Sequence, residues 1–107
     1  MKRGSMQCKI PEAMRAELSE DPFMRVCIIN DAMCAGRIEW NHALTYGGRR
    51  VNELYALLPM CHLHHEQQAK WRPLIEQVMR KRIKHFGAAE EFAAKYPKSS
   101  LLAPTYA

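Results

Sequence analysis

Cys27-Ile28-Ile29-Asn30-Asp31-Ala32-Met33-Cys34 and Cys61-His62-Leu63-His64-His65 bracket Glu39-Trp40-Asn41-His42, and this arrangement decides how the chain folds. Cys27 and Cys34 lie seven positions apart and Cys61 and His64 three apart. Each pair can therefore form half of a tetrahedral zinc site, whose donors are thiolate sulfur and neutral imidazole nitrogen. His65, at Cys-x3-His spacing, is the alternative fourth donor, and whichever histidine is left over is free for other chemistry. A site closed by Cys27, Cys34, Cys61 and His64 would pin both ends of the segment between them.

Such a staple matters in a chain of 107 residues whose first ten and last ten look weakly committed to structure. Zinc is worth roughly 10–16 kcal/mol to small finger peptides, enough to decide whether a domain with a short core folds. The four cysteines could instead make two disulfides. However, Met1-Lys2-Arg3 runs into Gly4, Ser5 and Gln7 with no apolar leader, so reduced thiols and a cytoplasmic location are expected. Cys8, without a near partner, reads as an unpaired thiol. No run approaches the ~20 apolar residues of a membrane span. A formal charge of +5 is modest support for a polyanionic partner. There is no internal repeat and no low-complexity tract.

Residues 11–20 suit a short helix with Pro11 in its first turn, ended by Asp21-Pro22. Residues 26–29 read as a short strand entering a turn at Asn30-Asp31, with Cys34-Ala35-Gly36 returning, which makes a zinc knuckle. Residues 38–44 are extended, and Tyr46-Gly47-Gly48-Arg49-Arg50 is a loop whose glycines permit positive φ. Residues 51–58 have both helical and strand character, and Pro59 delivers the chain to Cys61 in an extended or turning conformation. Helical composition begins near His64. A second helix with Pro73 in its first turn runs to about Phe86, with Leu74, Ile75, Val78, Met79 and Ile83 as its apolar stripe, and Gly87 ends it. Residues 88–96 suit one more short helix before a tail.

The stretch from Cys27 to about Trp71 resembles the HNH endonucleases of the ββα-metal (His-Me finger) type, particularly the short zinc-bound forms of phages and bacteria. Asn41-His42 falls at that family's first motif position, Asn52 is the available middle residue, and Cys61-His62-Leu63-His64-His65 falls at the last. The resemblance implies a small single α+β domain over residues 1–107: a ββα-metal core with structural zinc over about 24–72, flanked by N- and C-terminal helices, with a helical extension over 73–97 and a tail over 98–107. It implies that His42 is the general base that activates water, and that His65 at the start of the helix, with Asn41 on the strand, holds a catalytic Mg²⁺ or another divalent ion such as Mn²⁺ or Ni²⁺. Asn41 stands where Asp or His is usual. Glu39, on the same strand face if the strand is regular, could supply the missing carboxylate. The implied activity is divalent-metal-dependent hydrolysis of DNA phosphodiesters in a bacterial or phage-infected cell, with a phage packaging or recombination protein as a conceivable partner.

Each residue also has a plainer reading. A histidine is more often structural than catalytic, but His42 follows a polar residue within an otherwise apolar strand. His62 is expected to face solvent or phosphate, and His85 belongs to a charged helix face. Trp40, Tyr55, Leu57 and Leu58 read as core. Asn52 could merely satisfy a turn. Arg80, Lys81, Arg82 and Lys84 on the second helix, with Arg37, Arg49 and Arg50 around the site, could neutralise phosphates, although a charge run is usually a solvated face. The alternative from another functional class is a zinc knuckle that binds DNA or protein without cutting. A redox or cysteine-nucleophile enzyme is disfavoured by the lack of a Cys-x2-Cys pair.

Overall fold

The computed structural model describes residues 9–102. Cys8 and residues 103–107 of the expected tail lie outside them. Four helices, two small antiparallel sheets and three 3₁₀ turns make an α+β fold among the described residues.

Helix α1 (Glu12–Ser19) buries Leu18 and ends just before Asp21-Pro22, as expected. Asp21 caps the following 3₁₀ turn, Pro22–Arg25, accepting from the Phe23 amide at 3.0 Å. Residues 26–29 form no strand. They bend irregularly past residues 57–61, bonded to them by the Ile28 amide on the Pro59 carbonyl at 2.9 Å. Asn30 takes a left-handed φ of 48° as the knuckle turns.

Strand β1 (Ile38–His42) pairs with β4 (Leu57–Cys61), from Ile38 opposite Cys61 to His42 opposite Leu57. All five residues of β4 are buried. On one side Leu57 joins Ile10, Leu18 and Met24, with Trp40 packed against them. On the other, Leu58 and Met60 join Tyr55, Ile75, Met79 and Phe92. Between the paired strands, the glycine segment expected as a loop is a hairpin: β2 (Thr45–Tyr46) against β3 (Arg49–Arg50), turned through Gly47 and Gly48 at φ of 60° and 79°. Two consecutive positive φ values are the requirement of the tight hairpin turn. A 3₁₀ turn at Leu54–Ala56 then leads into β4, which settles the ambiguity over residues 51–58.

Helix α2 (His62–Glu66) follows β4 directly, and residues 67–71 form turns rather than more helix. Gly36, at φ 85°, passes so close to α2 that a Cβ there would lie 2.7 Å from the His62 Cβ. No larger residue fits this crossing without a shift.

Helix α3 (Arg72–His85) buries Ile75, Met79, Arg82 and Ile83, and α4 (Ala89–Lys95) buries Phe92. Residues 98–102 are packed rather than free. Leu101 is buried, the Lys98 amide donates to Tyr46 Oη at 3.1 Å, and Arg80 donates to the carbonyls of Leu101 and Ser100 at 3.2 and 3.5 Å.

Arg82 is the exception in the α3 stripe. It lies between the rings of Phe23 (4.0 Å) and Phe86 (4.7 Å) and donates to Asp21 Oδ2 at 2.7 Å. Burial pushes the Asp21 carboxyl up, but Arg82 and the Phe23 amide outweigh it and hold the group below the usual carboxylate range. The folded state therefore holds this proton less tightly than the unfolded state. The pair's stabilisation is complete above the ordinary value of about 3.9 and is lost as pH falls through the lower folded value. Arg82→Met is expected to cost about 3 kcal/mol at pH 7 and to flatten this acid limb, measured by urea unfolding at pH 7 and across pH 5 to 2.

Candidate metal centre and active-site cleft

Cys27 and Cys34 come from the knuckle, Cys61 from the end of β4 and His64 from the first turn of α2. Their donor atoms lie within 4.8 Å of one another, so the four are positioned to bind a metal ion. The His64 Nδ1 is 3.7 Å from Cys27 Sγ, 3.6 Å from Cys34 Sγ and 3.2 Å from Cys61 Sγ. His64 is 1% exposed and takes the fourth corner, which answers the choice between it and His65.

The surroundings prepare these donors. Burial raises the Cys61 thiol, but the amides of His64 and Ala35 and the side chains of His64 and Cys34 reverse this and bring it to about 6. The His64 N–H lies 3.5 Å from Cys61 Sγ, so the sulfur also caps α2. Cys34 moves the other way, raised by burial and by its sulfur neighbours. Asp31 Oδ1 lies 3.3 Å from His64 Nε2, and it also accepts the Met33 amide at 2.9 Å. With the Nε2 proton directed at Asp31, Nδ1 keeps a lone pair toward the sulfurs. In the sequence Asp31 reads only as a turn residue. Its signal was a carboxylate lying between the two knuckle cysteines. Trp71 completes the surround, its ring edge-on to His64 at 5.5 Å.

One residue along α2, His65 turns away from this cluster. With Asn41, His42, Trp40, Thr45, Arg50 and Gln68 it lines a cleft of about 310 Å³ beside β1. The His42 Nε2 is 2.8 Å from Asn52 Oδ1, and Asn52 Nδ2 donates to the Lys9 carbonyl at 2.9 Å. Asn52 thus holds the His42 ring, with its amide orientation fixed from behind. Donation by Nε2–H leaves Nδ1 of His42 as the acceptor nitrogen.

Glu39 receives His65 Nδ1 on Oε1 at 2.7 Å and His62 Nδ1 on Oε2 at 2.9 Å. These two hydrogen bonds, His65 first, hold the Glu39 carboxyl below its usual range. Glu39 in turn raises His62, aided by Glu66, whose Oε2 lies 3.2 Å from His62 Nε2. Both Glu39 oxygens are thus engaged by histidines, and the residue orients His65 with Nε2 left over. Asn41 is 2% exposed and donates through Nδ2 to Met60 Sδ at 3.3 Å, leaving its Oδ1 as acceptor.

The expected phosphate-binding cations divide. Arg37, Arg49, Lys81 and Lys84 are exposed, and the exposed Arg50 lines the cleft. Arg82 is 6% exposed and serves the core, which removes it from the set because a buried guanidinium already paired with Asp21 cannot meet a phosphate. Arg80 is committed to the carbonyls at Ser100 and Leu101. His85 is exposed and stacks edge-on against Phe86 at 4.9 Å. No helix among the described residues is long and apolar enough to cross a membrane.

Comparison with protein-family models, with curated proteins and with solved structures finds no match to this chain.

Asp31→Ala removes the carboxylate from His64 while leaving all four donors in place. It is expected to weaken metal binding by about 10- to 100-fold, measured by competition with a chromophoric chelator.

Proposed function

We propose that this chain is a zinc-stapled nuclease of the HNH type that hydrolyses DNA phosphodiesters with the help of a second, divalent metal ion. The observation that carries this reading is that His42, from a strand, and His65, from a helix, line one cleft, each with its ring held by a polar side chain, Asn52 and Glu39 respectively. A histidine of purely structural value needs no such cleft. The order β1, β4, α2, with Cys61 and His64 at the β4–α2 junction, further supports the family resemblance.

Zinc is the metal that three thiolates and an imidazole favour. Tetrahedral bonds of ~2.3 Å to sulfur and ~2.05 Å to nitrogen give S···N edges of about 3.5 Å, and those around His64 are 3.2, 3.6 and 3.7 Å. The site is closed by protein, as a structural zinc requires.

In the cleft, His42 Nδ1 takes the proton of an attacking water while Asn52 keeps Nε2 protonated and the ring in place. Arg50 supplies positive charge beside the substrate phosphate. His65 through Nε2 and Asn41 through Oδ1 are the residues that would hold the divalent ion. Neither donor is charged, a set that suits Mn²⁺ or Ni²⁺ better than Mg²⁺. When bound, the ion supplies stabilisation of the negative charge on the phosphate and its leaving oxygen. Glu39 contributes by presenting His65 in the right tautomer.

The second reading, a zinc knuckle that binds DNA or protein without cutting, is favoured by Met33 and Val26, apolar residues of the knuckle that are 67% and 51% exposed.

Supercoiled plasmid incubated with the zinc-loaded protein and Mg²⁺, Mn²⁺ or Ni²⁺ separates the two readings. The nuclease converts it to open-circle or linear DNA, and His42→Ala lowers the rate by about 10²- to 10⁴-fold without loss of zinc. DNA binding without conversion under every metal, equal in the parent and His42→Ala proteins, establishes the binding module instead.

A further inference from the structure

Beside the His42 cleft lies a larger one of about 660 Å³, walled by the β2–β3 hairpin, the start of α3 and the segment at 98–100. Its volume falls within the ~300–1,000 Å³ of small-ligand sites. Thr45 lines both clefts, so the two adjoin at β2.

The lining has a definite chemistry. Arg72 and Lys98 contribute positive charge, and Thr45, Ser99 and Ser100 contribute hydroxyls. Glu76 also lines the cleft, but it accepts from Arg72 Nε at 3.2 Å, which neutralises it and leaves the two terminal guanidinium nitrogens of Arg72. Among the described residues no carboxylate pairs with Lys98. The wall that carries Lys98 is anchored: its amide donates to Tyr46 Oη, and the Tyr46 ring packs edge-on against Tyr96 at 5.1 Å. Two cations, hydroxyl donors and one neutralised carboxylate suit a phosphodiester. A cationic ligand would meet like charge.

We infer that this second cleft is a subsite for a backbone phosphate flanking the scissile one, so that the bound strand runs from His42 and His65 across Thr45 to Arg72 and Lys98. The inference rests on the nuclease reading and extends it. It places the strand toward the start of α3, away from Arg80 and Arg82, whose guanidinium groups are spent within the fold. Contacts of this kind fix the position of a strand and carry no base information, so the subsite strengthens binding to every sequence alike.

The test uses the zinc-loaded full chain carrying His42→Ala, with and without Arg72→Ala and Lys98→Ala together, and a fluorescein-labelled DNA duplex read by anisotropy over a KCl series. The double change is expected to raise Kd for all sequences and to lower the slope of log K against log salt by about 0.9. Arg25→Ala, which removes an exposed cation that lines neither cleft, is expected to change neither quantity. With His42 restored, the double variant should nick plasmid with a raised KM and little change in kcat, the signature of lost ground-state binding. Unchanged Kd and slope in a double variant that still cuts plasmid overturn the subsite and leave the nuclease standing. Neither binding nor cutting by the parent protein overturns both.

Discussion

The convergence of Cys27, Cys34, Cys61 and His64 is the constraint on which the rest of this structure depends. The knuckle that carries the first two cysteines has no strand of its own and reaches β4 by a backbone hydrogen bond from Ile28 to Pro59 and by the Ala35 amide on Cys61. Packed side chains reinforce that contact, since Ile28, Ile29 and Cys34 lie against the main core. Three sulfurs and a ring nitrogen brought this close without a cation would leave the Cys61 charge, favoured by its amide donors, with little to balance it. A bound metal would resolve that cost and turn the cluster into the joint between knuckle, strand and helix.

The same joint governs the cleft. His64 and His65 are consecutive on a helix of five residues, and the rotation between neighbouring helical positions sends one ring to the metal cluster and the next to the cleft beside β1. A helix this short has little stability of its own. It is held by the Cys61 cap at its start, by Gly36 pressed against His62, and by the Glu39 bonds to His62 and His65. Under the proposed function, the structural site therefore sets the position of the residue meant to hold the second metal. Loss of the first would reach the chemistry through α2, over the distance of a single residue.

Arg82 shows how position changes the meaning of a residue type. In the run Arg80-Lys81-Arg82-Lys84 the four cations look equivalent, yet Arg82 stands three after Met79 and seven after Ile75, on the helix stripe that faces the core. Sequence alone groups Arg82 with the phosphate-binding cations, and the aromatic rings and Asp21 that enclose it overturn that reading. Strand β4 is the opposite case. Its five residues are all buried, so it lacks the alternation that identifies a half-exposed strand, and Leu57-Leu58 could be read as helix or strand. Residues 26–29 are a third case, because the β-branched Ile28 and Ile29, which suit a strand, serve here to pack an irregular turn against the core.

The sequence by itself picked out the three cysteine donors and narrowed the fourth to His64 or His65, since cysteine and histidine at those spacings have few other uses, and it determined the helices at residues 12–19 and 72–85, since local periodicity and proline placement fix them. It also singled out His42, Asn52, Glu39 and His65. Tertiary structure alone decided how these pair. Asn52 is ten positions from His42 and Glu39 is 26 from His65, and only the β1–β4 register and the exit of α2 bring each pair within hydrogen-bonding distance. Tertiary structure also decided that Asp31 backs His64, that residues 98–100 wall a second cleft, and that Glu39 serves as the orienting partner of two histidines. Such pairings depend on long-range packing, to which spacing along the chain gives no access.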